Sequence, residues 1–401
     1  MKIPVLVVTL LLTTAGLVLA YPQAARLAAP NEQPPVTPVD AVAIVPSQRP
    51  RIEAVFVLDT TGSMSGLIQA AKENIWSIAS SMASAQPTPE LSIGLVAFRD
   101  RGDAYVTRLI DLSSDLDSVY AQLMDFEANG GGDHPEAVNQ ALHEAVHRIG
   151  WSQGPGAYRT IFLVGDAPPQ RYQDEPQYPE IIAAALARGI VVNGIQAGSD
   201  AGTRNHWTKI AQLGGGAYFE VEQSGSAVAV ATPFDAAIAR LSRDLDSTRL
   251  FYGDADRQRE ARAKEDAAAK LHVAASPAAQ AKRAAFNASA GGRANLLGDN
   301  ELVDAVTSGK VELAEIDEAH LPAPLAAMAP EERAASIAQT AQRRQEISAE
   351  IERLSRERQA HIASTLGDET TRRDSLDYRL FETVKAQAAT KGLSYDAAPV
   401  H

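Results

Sequence analysis

The sequence predicts an α/β fold, with a doubly wound, mostly parallel sheet followed by a mainly α-helical C-terminal region. Three observations carry this. Apolar runs of strand length alternate with helix-period stretches across residues 51–233, an order that demands crossover connections. Two of the runs, "VFVLD" and "TIFLVGD", are apolar at successive positions and end in an aspartate, as strands covered on both faces do. Beyond Pro233 the strand formers thin out, and Ala, Arg, Glu and Gln take over.

In chain order, residues 1–20 read as a signal peptide. Lys2 precedes an apolar run broken only by Pro4, Thr9, Thr13, Thr14 and Gly16, and Val18 and Ala20 put small residues where a peptidase would cut. An uncleaved N-terminal anchor is the alternative, because the run approaches the ~20 residues that span a bilayer. Either reading places the rest of the chain outside the cytoplasm, periplasmic or secreted, or held at the inner membrane. The membrane enters only through this segment. Residues 21–50 carry Pro30, Pro34, Pro35, Pro38, Pro46 and Pro50 without an apolar period and read as a linker.

The domain at 51–233 opens on the strand "EAVFVLD". Residues 67–82 follow as a helix, with Leu67, Ile68, Ala71, Ile75, Ile78, Ala79 and Met82 on one broad face. "LSIGLVAF" is the next strand, and "AYVTRLIDL" reads as an edge strand. Helices are expected near 115–126 and from Pro135 to Ile149, then strands at "YRTIFLVGD", "GIVVNGIQ" and "GAYFEV", with helices near 178–188 and 205–213 between them. In the region 234–401, the stretch from "SRDLD" to "DAAAKL" reads as helical, 291–298 as a loop, and Pro330 with Glu331 and Glu332 as the start of a long helix. Its stripe of Ile337, Ala341, Ile347, Ile351, Leu354 and Ile362 suits either packing on its own chain or a coiled coil with a partner, although Arg344 and Arg358 interrupt the seam.

Composition narrows the function. A hydrophobic share of 45% permits a sizeable core, and a formal charge of -13 speaks against nucleic acid, whose phosphates need a basic footprint. The absence of cysteine removes disulfides, thiolate catalysis and thiolate-held metals.

The chemistry concentrates in "VFVLDTTGSM". Asp59, Thr61 and Ser63 alternate directly after a buried strand, so a tight turn can aim three oxygens at one point. Hard oxygens in that number suit Mg²⁺, or Mn²⁺ or Ca²⁺. On these residues, together with "NGGGDHPEA" and "FLVGDAPP", residues 52–233 resemble the von Willebrand factor A (VWA) family in the D-x-[ST]-x-S form of its metal-ion-dependent adhesion site, MIDAS. "FRDRGD", "RNHWTKIA" and "LLGDNELVDAVTSGKVELAEIDEAHLP" extend the likeness to a bacterial exported branch. The resemblance implies a metal held by Asp59, Thr61, Ser63, Asp133 and Asp166. It also implies a protein partner that offers an Asp or Glu carboxylate to the ion. Asp133 departs from the threonine common at its place, and its competing reading is an N-cap for the helix opening at Pro135. Arg99, Asp100 and Asp103 leave a strand at the same edge, as braces or as a solvated loop.

Two motifs compete. His143, Glu144 and His147 spell HExxH, the zinc-protease helix, but Gln153 stands where the longer form needs a third ligand. Arg101-Gly102-Asp103 matches an adhesion tripeptide of three common residues. The resulting expectation is a non-enzymatic, exported interaction module. A metal-dependent hydrolase and a structural envelope protein acting through its C-terminal helices are the alternatives.

Overall fold

A computed structural model of the chain describes residues 49–131, 135–224, 230–366 and 376–395. The expectations for residues 1–20 and 21–48, and for Asp133, lie outside the described residues.

Among the described residues the strands are β1 (Arg51–Asp59), β2 (Glu90–Phe98), β3 (Thr107–Ser113), β4 (Ala157–Gly165), β5 (Ile190–Ala197) and β6 (Gly215–Val221). They form one sheet in the order β3-β2-β1-β4-β5-β6, parallel throughout except for the edge strand β3, which runs antiparallel to β2. Strand order reverses between β1 and β4, and this is where an open α/β sheet leaves a crevice for a ligand. Asp59 closes β1 and Asp166 follows β4, so both acids stand at that crevice.

Side chains alternate across the sheet and build two cores. Ile52, Ala54 and Leu58 of β1 face α1 (Ser65–Ala83) and α2 (Leu116–Leu123), whereas Val55 and Val57 face α3 (Val138–His147), α4 (Tyr178–Ala187) and α5 (Ala201–Leu213). Every residue of β4 is buried, as a strand covered on both faces must be.

One helix start differs from expectation. α3 begins at Val138 with Ala137 as its N-cap, not at Pro135. The backbone explains why. Glu136 N–H donates to the Pro168 carbonyl (3.1 Å) and Gln170 N–H to the Glu136 carbonyl (2.7 Å), a short bridge that holds this loop against the one after β4 instead of letting it coil.

After β6 come α6 (Asp235–Asp246), α7 (Ala255–Ala274), α8 (Pro277–Ala288), α9 (Arg293–Leu297), α10 (Leu302–Thr307), α11 (Ala323–Ala326), α12 (Pro330–Leu366) and α13 (Leu376–Ala388). The expected single helical run from "SRDLD" onward is broken in two. Gly253 takes a φ of +128°, and Asp254 caps α7 by accepting from the N–H groups of Asp256 and Arg257. The expected loop at 291–298 contains α9. The stripe of α12 is buried by its own chain: Ile347, Ile351 and Leu354 pack with Ile238, Leu245 and Ala284. The two arginines that interrupt it are used there. Arg344 grips Glu301 at 2.8 and 3.0 Å, and Arg358 donates to Asp235 at 2.7 Å.

The last helix returns to the sheet. Leu376, Leu380, Phe381 and Val384 of α13, with Leu393 and Tyr395 beyond it, join the core between α1 and the sheet. Gln387 accepts from the Tyr158 hydroxyl (2.6 Å) and donates to Asn193 (2.7 Å), so α13 is bonded to β4 and β5 as well as packed. Among the described residues no helix is long and apolar enough to cross a membrane.

Candidate metal centre

The first loop is set by the end of β1. Thr60 pairs to Phe98 through both its N–H and its hydroxyl (2.9 Å each), which fixes where the chain leaves the sheet. Residues 62–64 then make a single 3₁₀ turn. Thr61 donates to Asp59 Oδ1 from its N–H (2.8 Å) and its hydroxyl (2.7 Å), and the Ser63 hydroxyl lies 3.4 Å from that of Thr61. Asp59, Thr61 and Ser63 are thus brought together as the sequence predicts.

Asp59 is buried and its Oδ2 has no hydrogen-bond partner. Burial pushes its carboxyl up to about 7, against the two bonds from Thr61 and the nearby backbone N–H of Asp166, with the charge of Asp166 adding to the rise. The β4 end lies close above it: a Cβ on Gly165 would stand 3.2 Å from Asp59 Oδ2, a tight contact that the glycine avoids.

Asp166 is placed by that loop. Its carbonyl accepts from the Thr203 hydroxyl (2.9 Å), and the next carbonyl, of Ala167, accepts from the buried Trp207 indole (3.1 Å). Helix α5 therefore anchors the backbone on which Asp166 rides, and its carboxylate faces the first loop.

The second loop supplies a residue, Glu136, that the sequence reading placed inside the helix expected from Pro135 to Ile149. Glu136 is 3% exposed, and its Oε2 is buried without a partner. Burial first, then the charges of Asp59, Asp100, Asp103 and Asp166, pushes its carboxyl up to about 9. The available signal was positional: an acid between a glycine-rich loop and the apolar face of α3 sits at the sheet edge. Asp133, three residues earlier, lies outside the described residues.

Arg99, Asp100 and Asp103 act as braces. Arg99 donates to the carbonyls of Thr60 (3.1 Å) and Glu127 (2.8 Å), Asp100 accepts from the Tyr172 hydroxyl (2.8 and 2.9 Å), and Asp103 accepts from Gly131 N–H (3.3 Å). Arg101 lies over the Tyr172 ring at 3.8 Å and bonds both oxygens of Asp174 at the surface, so its charge is paired within the chain. His143 and His147 have rings 4.6 Å apart on the outer side of α3, and Glu144 between them pairs with Arg148 at 3.4 Å. No third ligand joins them among the described residues.

Among the described residues no three Asp, Glu, His or Cys side chains converge tightly enough to hold an ion unaided. Any cation here must also draw on the hydroxyls of Thr61 and Ser63. Such a set fits a hard divalent ion: two buried, unpartnered carboxylate oxygens carry a desolvation cost that only a proton or a cation relieves. Glu136→Gln separates these roles. Removing a buried, crowded acid should raise the metal-free melting temperature while weakening Mn²⁺ binding at least ~10-fold, a pairing that thermal melts with and without Mn²⁺ would read directly. A lower melting temperature with unchanged metal response would mark Glu136 as purely structural.

Residues 53–232 match the family model described as von Willebrand factor A domain. This part of the chain is a VWA domain. Over 91 residues the chain is 41% identical to von Willebrand factor A domain-containing protein 7 of Rattus norvegicus and 40% identical to that of Homo sapiens, covering 23% of this chain. The chain spans about 10% of the length of these curated relatives. Among solved structures, proximal thread matrix protein 1 from the mussel byssus, with a zinc-occupied MIDAS motif, aligns with a TM-score of 0.34 at 14% identity, over 43% of this chain and 42% of its own. The SpRpn10 VWA domain aligns with a TM-score of 0.34 at 11% identity, over 43% and 89%. An aerotolerance-related membrane protein from Bacteroides fragilis aligns with a TM-score of 0.31 at 17% identity, over 44% and 94%.

Proposed function

We propose that this protein is an exported, non-enzymatic interaction module whose VWA domain holds a divalent cation and presents it to a carboxylate on a protein partner. The ligands are Asp59, Thr61, Ser63, Asp166 and Glu136. Asp133, on the same loop as Glu136, is kept in the set by the family resemblance. The observation that carries this reading is the pair of buried oxygens, Asp59 Oδ2 and Glu136 Oε2, left without partners beside hydroxyl donors at the strand-order switch. When bound, the ion supplies positive charge and an open position for an anionic oxygen. The chain's own residues do the rest. Thr61 orients Asp59 through two hydrogen bonds, α5 holds the Asp166 loop, and Arg99 ties the first loop to the second. Mg²⁺, Mn²⁺ and Ca²⁺ are the candidates, because all take hard oxygen ligands.

Placement outside the cytoplasm rests on residues 1–20 of the sequence. The test of function is a crosslinking pull-down of the full chain from its native host, run with Mg²⁺ and again with chelator. A partner captured only with Mg²⁺, and lost in Asp59→Ala, supports the reading. Capture indifferent to chelator and to Asp59→Ala would transfer the binding role to the C-terminal helices.

A further inference from the structure

The turn after β6 reaches across the metal centre. Gln223 uses the two hydrogens of its amide on two different loops: one goes to Asp166 Oδ2 at 2.6 Å, the other to the Ser63 carbonyl at 3.0 Å. No other side-chain hydrogen bond to the Asp166 carboxylate is found among the described residues. The turn is seated closely on both sides. A Cβ on Gly198, whose φ is +72°, would stand 2.6 Å from Gln223 Oε1, and a Cβ on Gly66 would stand 2.9 Å from Ser224 Cα.

The backbone of Asp166 is already fixed by Thr203 and the neighbouring Trp207 bond, so its remaining freedom is rotation of the side chain. Repulsion from Asp59 would swing the carboxylate outward to solvent. Gln223 opposes that swing, and because the same amide holds Ser63 it also sets the gap between the first and third loops. A neutral donor suits the task, since a carboxylate that accepts one hydrogen bond keeps lone pairs for an ion, whereas a lysine would compete with the cation.

We infer that Gln223 is a positioning residue for metal binding, one that pre-aims Asp166 and fixes the span of the ligand loops. This rests on the metal-binding reading above. Partners that orient a metal's ligands typically change affinity roughly 10- to 100-fold when removed.

The test is titration of Mn²⁺ into the full chain, wild type against Gln223→Met and Gln223→Ala, with the metal-free melting temperature measured alongside. Methionine keeps the length that packs on Gly198 and removes the donor, so a packing role is rescued by Met and an orienting role is not. The expected result is a loss of roughly 10-fold or more in Mn²⁺ affinity in both variants, with metal-free melting close to wild type. Wild-type affinity in Gln223→Met, or a loss that simply follows a lowered metal-free melting temperature, overturns the role of Gln223 and leaves the metal site standing. A wild-type chain that takes up no Mn²⁺ removes the site, and the role of Gln223 with it.

Discussion

A chain truncated after Leu366 should lose cooperative folding of its VWA domain, although it keeps every strand of the sheet. Leu376, Leu380, Phe381, Val384 and Leu393 are each at most 5% exposed in the core shared with α1. Burying one such side chain contributes about 1.5–3 kcal/mol, so five contribute about 7–15 kcal/mol, which matches the whole stability of a typical domain. Truncation also removes the bonds from Gln387 to Tyr158 and Asn193 and the backbone pairing of Gln86 with Ser394. Urea melts followed by far-ultraviolet circular dichroism are expected to show a sigmoidal transition for the full chain and none for the truncated one. Within the full chain, Phe381→Ala should cost about 3–5 kcal/mol. A truncated chain melting at the wild-type midpoint would show that α13 adds nothing to the domain.

The second large effect is expected at Arg283 of α8, the joint between the VWA domain and the helices after it. Its side chain is 1% exposed and donates twice to Asp117 of α2, at 2.6 Å each, and to Ser242 of α6 at 2.9 Å. It also pairs with Asp246 at 2.9 Å. Arg283→Met strands the buried Asp117 and leaves Asp246 to His272 and Arg249, and should cost about 3–5 kcal/mol. Adding Asp117→Asn should recover part of that loss, since one stranded charge disappears. The pair also sets acid sensitivity. Burial alone would raise both acids, but Arg283, together with Lys264 near Asp117 and with His272 and Arg249 at Asp246, holds them below the usual carboxylate range. A depressed folded-state value means that this stabilisation is present above the unfolded carboxylate value of about 3.9 and is lost as pH falls below it. Stability measured from pH 6 to pH 2 should therefore fall more steeply in wild type than in Arg283→Met. Parallel profiles would mean that the network contributes little.

What the sequence showed, it showed through local pattern. "VFVLD" and "TIFLVGD" became the two central strands, and their terminal acids stand at the strand-order switch, because parallel strands covered on both faces must be continuously apolar. The edge position of β3 was legible in the mixed polarity of "TRLIDL". Non-local facts were not. Leu376 to Tyr395 pack on a helix some three hundred positions earlier, and nothing in an amphipathic segment names its partner. Gly253 inside an otherwise helical stretch was the readable sign of the break before α7. Glu136 fell within the first turn of the helix expected from Pro135 to Ile149. Its backbone pairs with the loop after β4 instead, which leaves its carboxylate buried without a partner at the candidate site.

The central claim is a cation held by the first loop. Isothermal titration of Mn²⁺ into the full-length protein, wild type and Asp59→Ala side by side, tests it most directly, because Asp59 brings the buried unpartnered oxygen at the heart of the site. The account predicts saturable binding of a single ion in wild type, a rise in melting temperature with added Mn²⁺, and neither effect in Asp59→Ala. Absent binding in wild type, or equal binding in the two proteins, would contradict it.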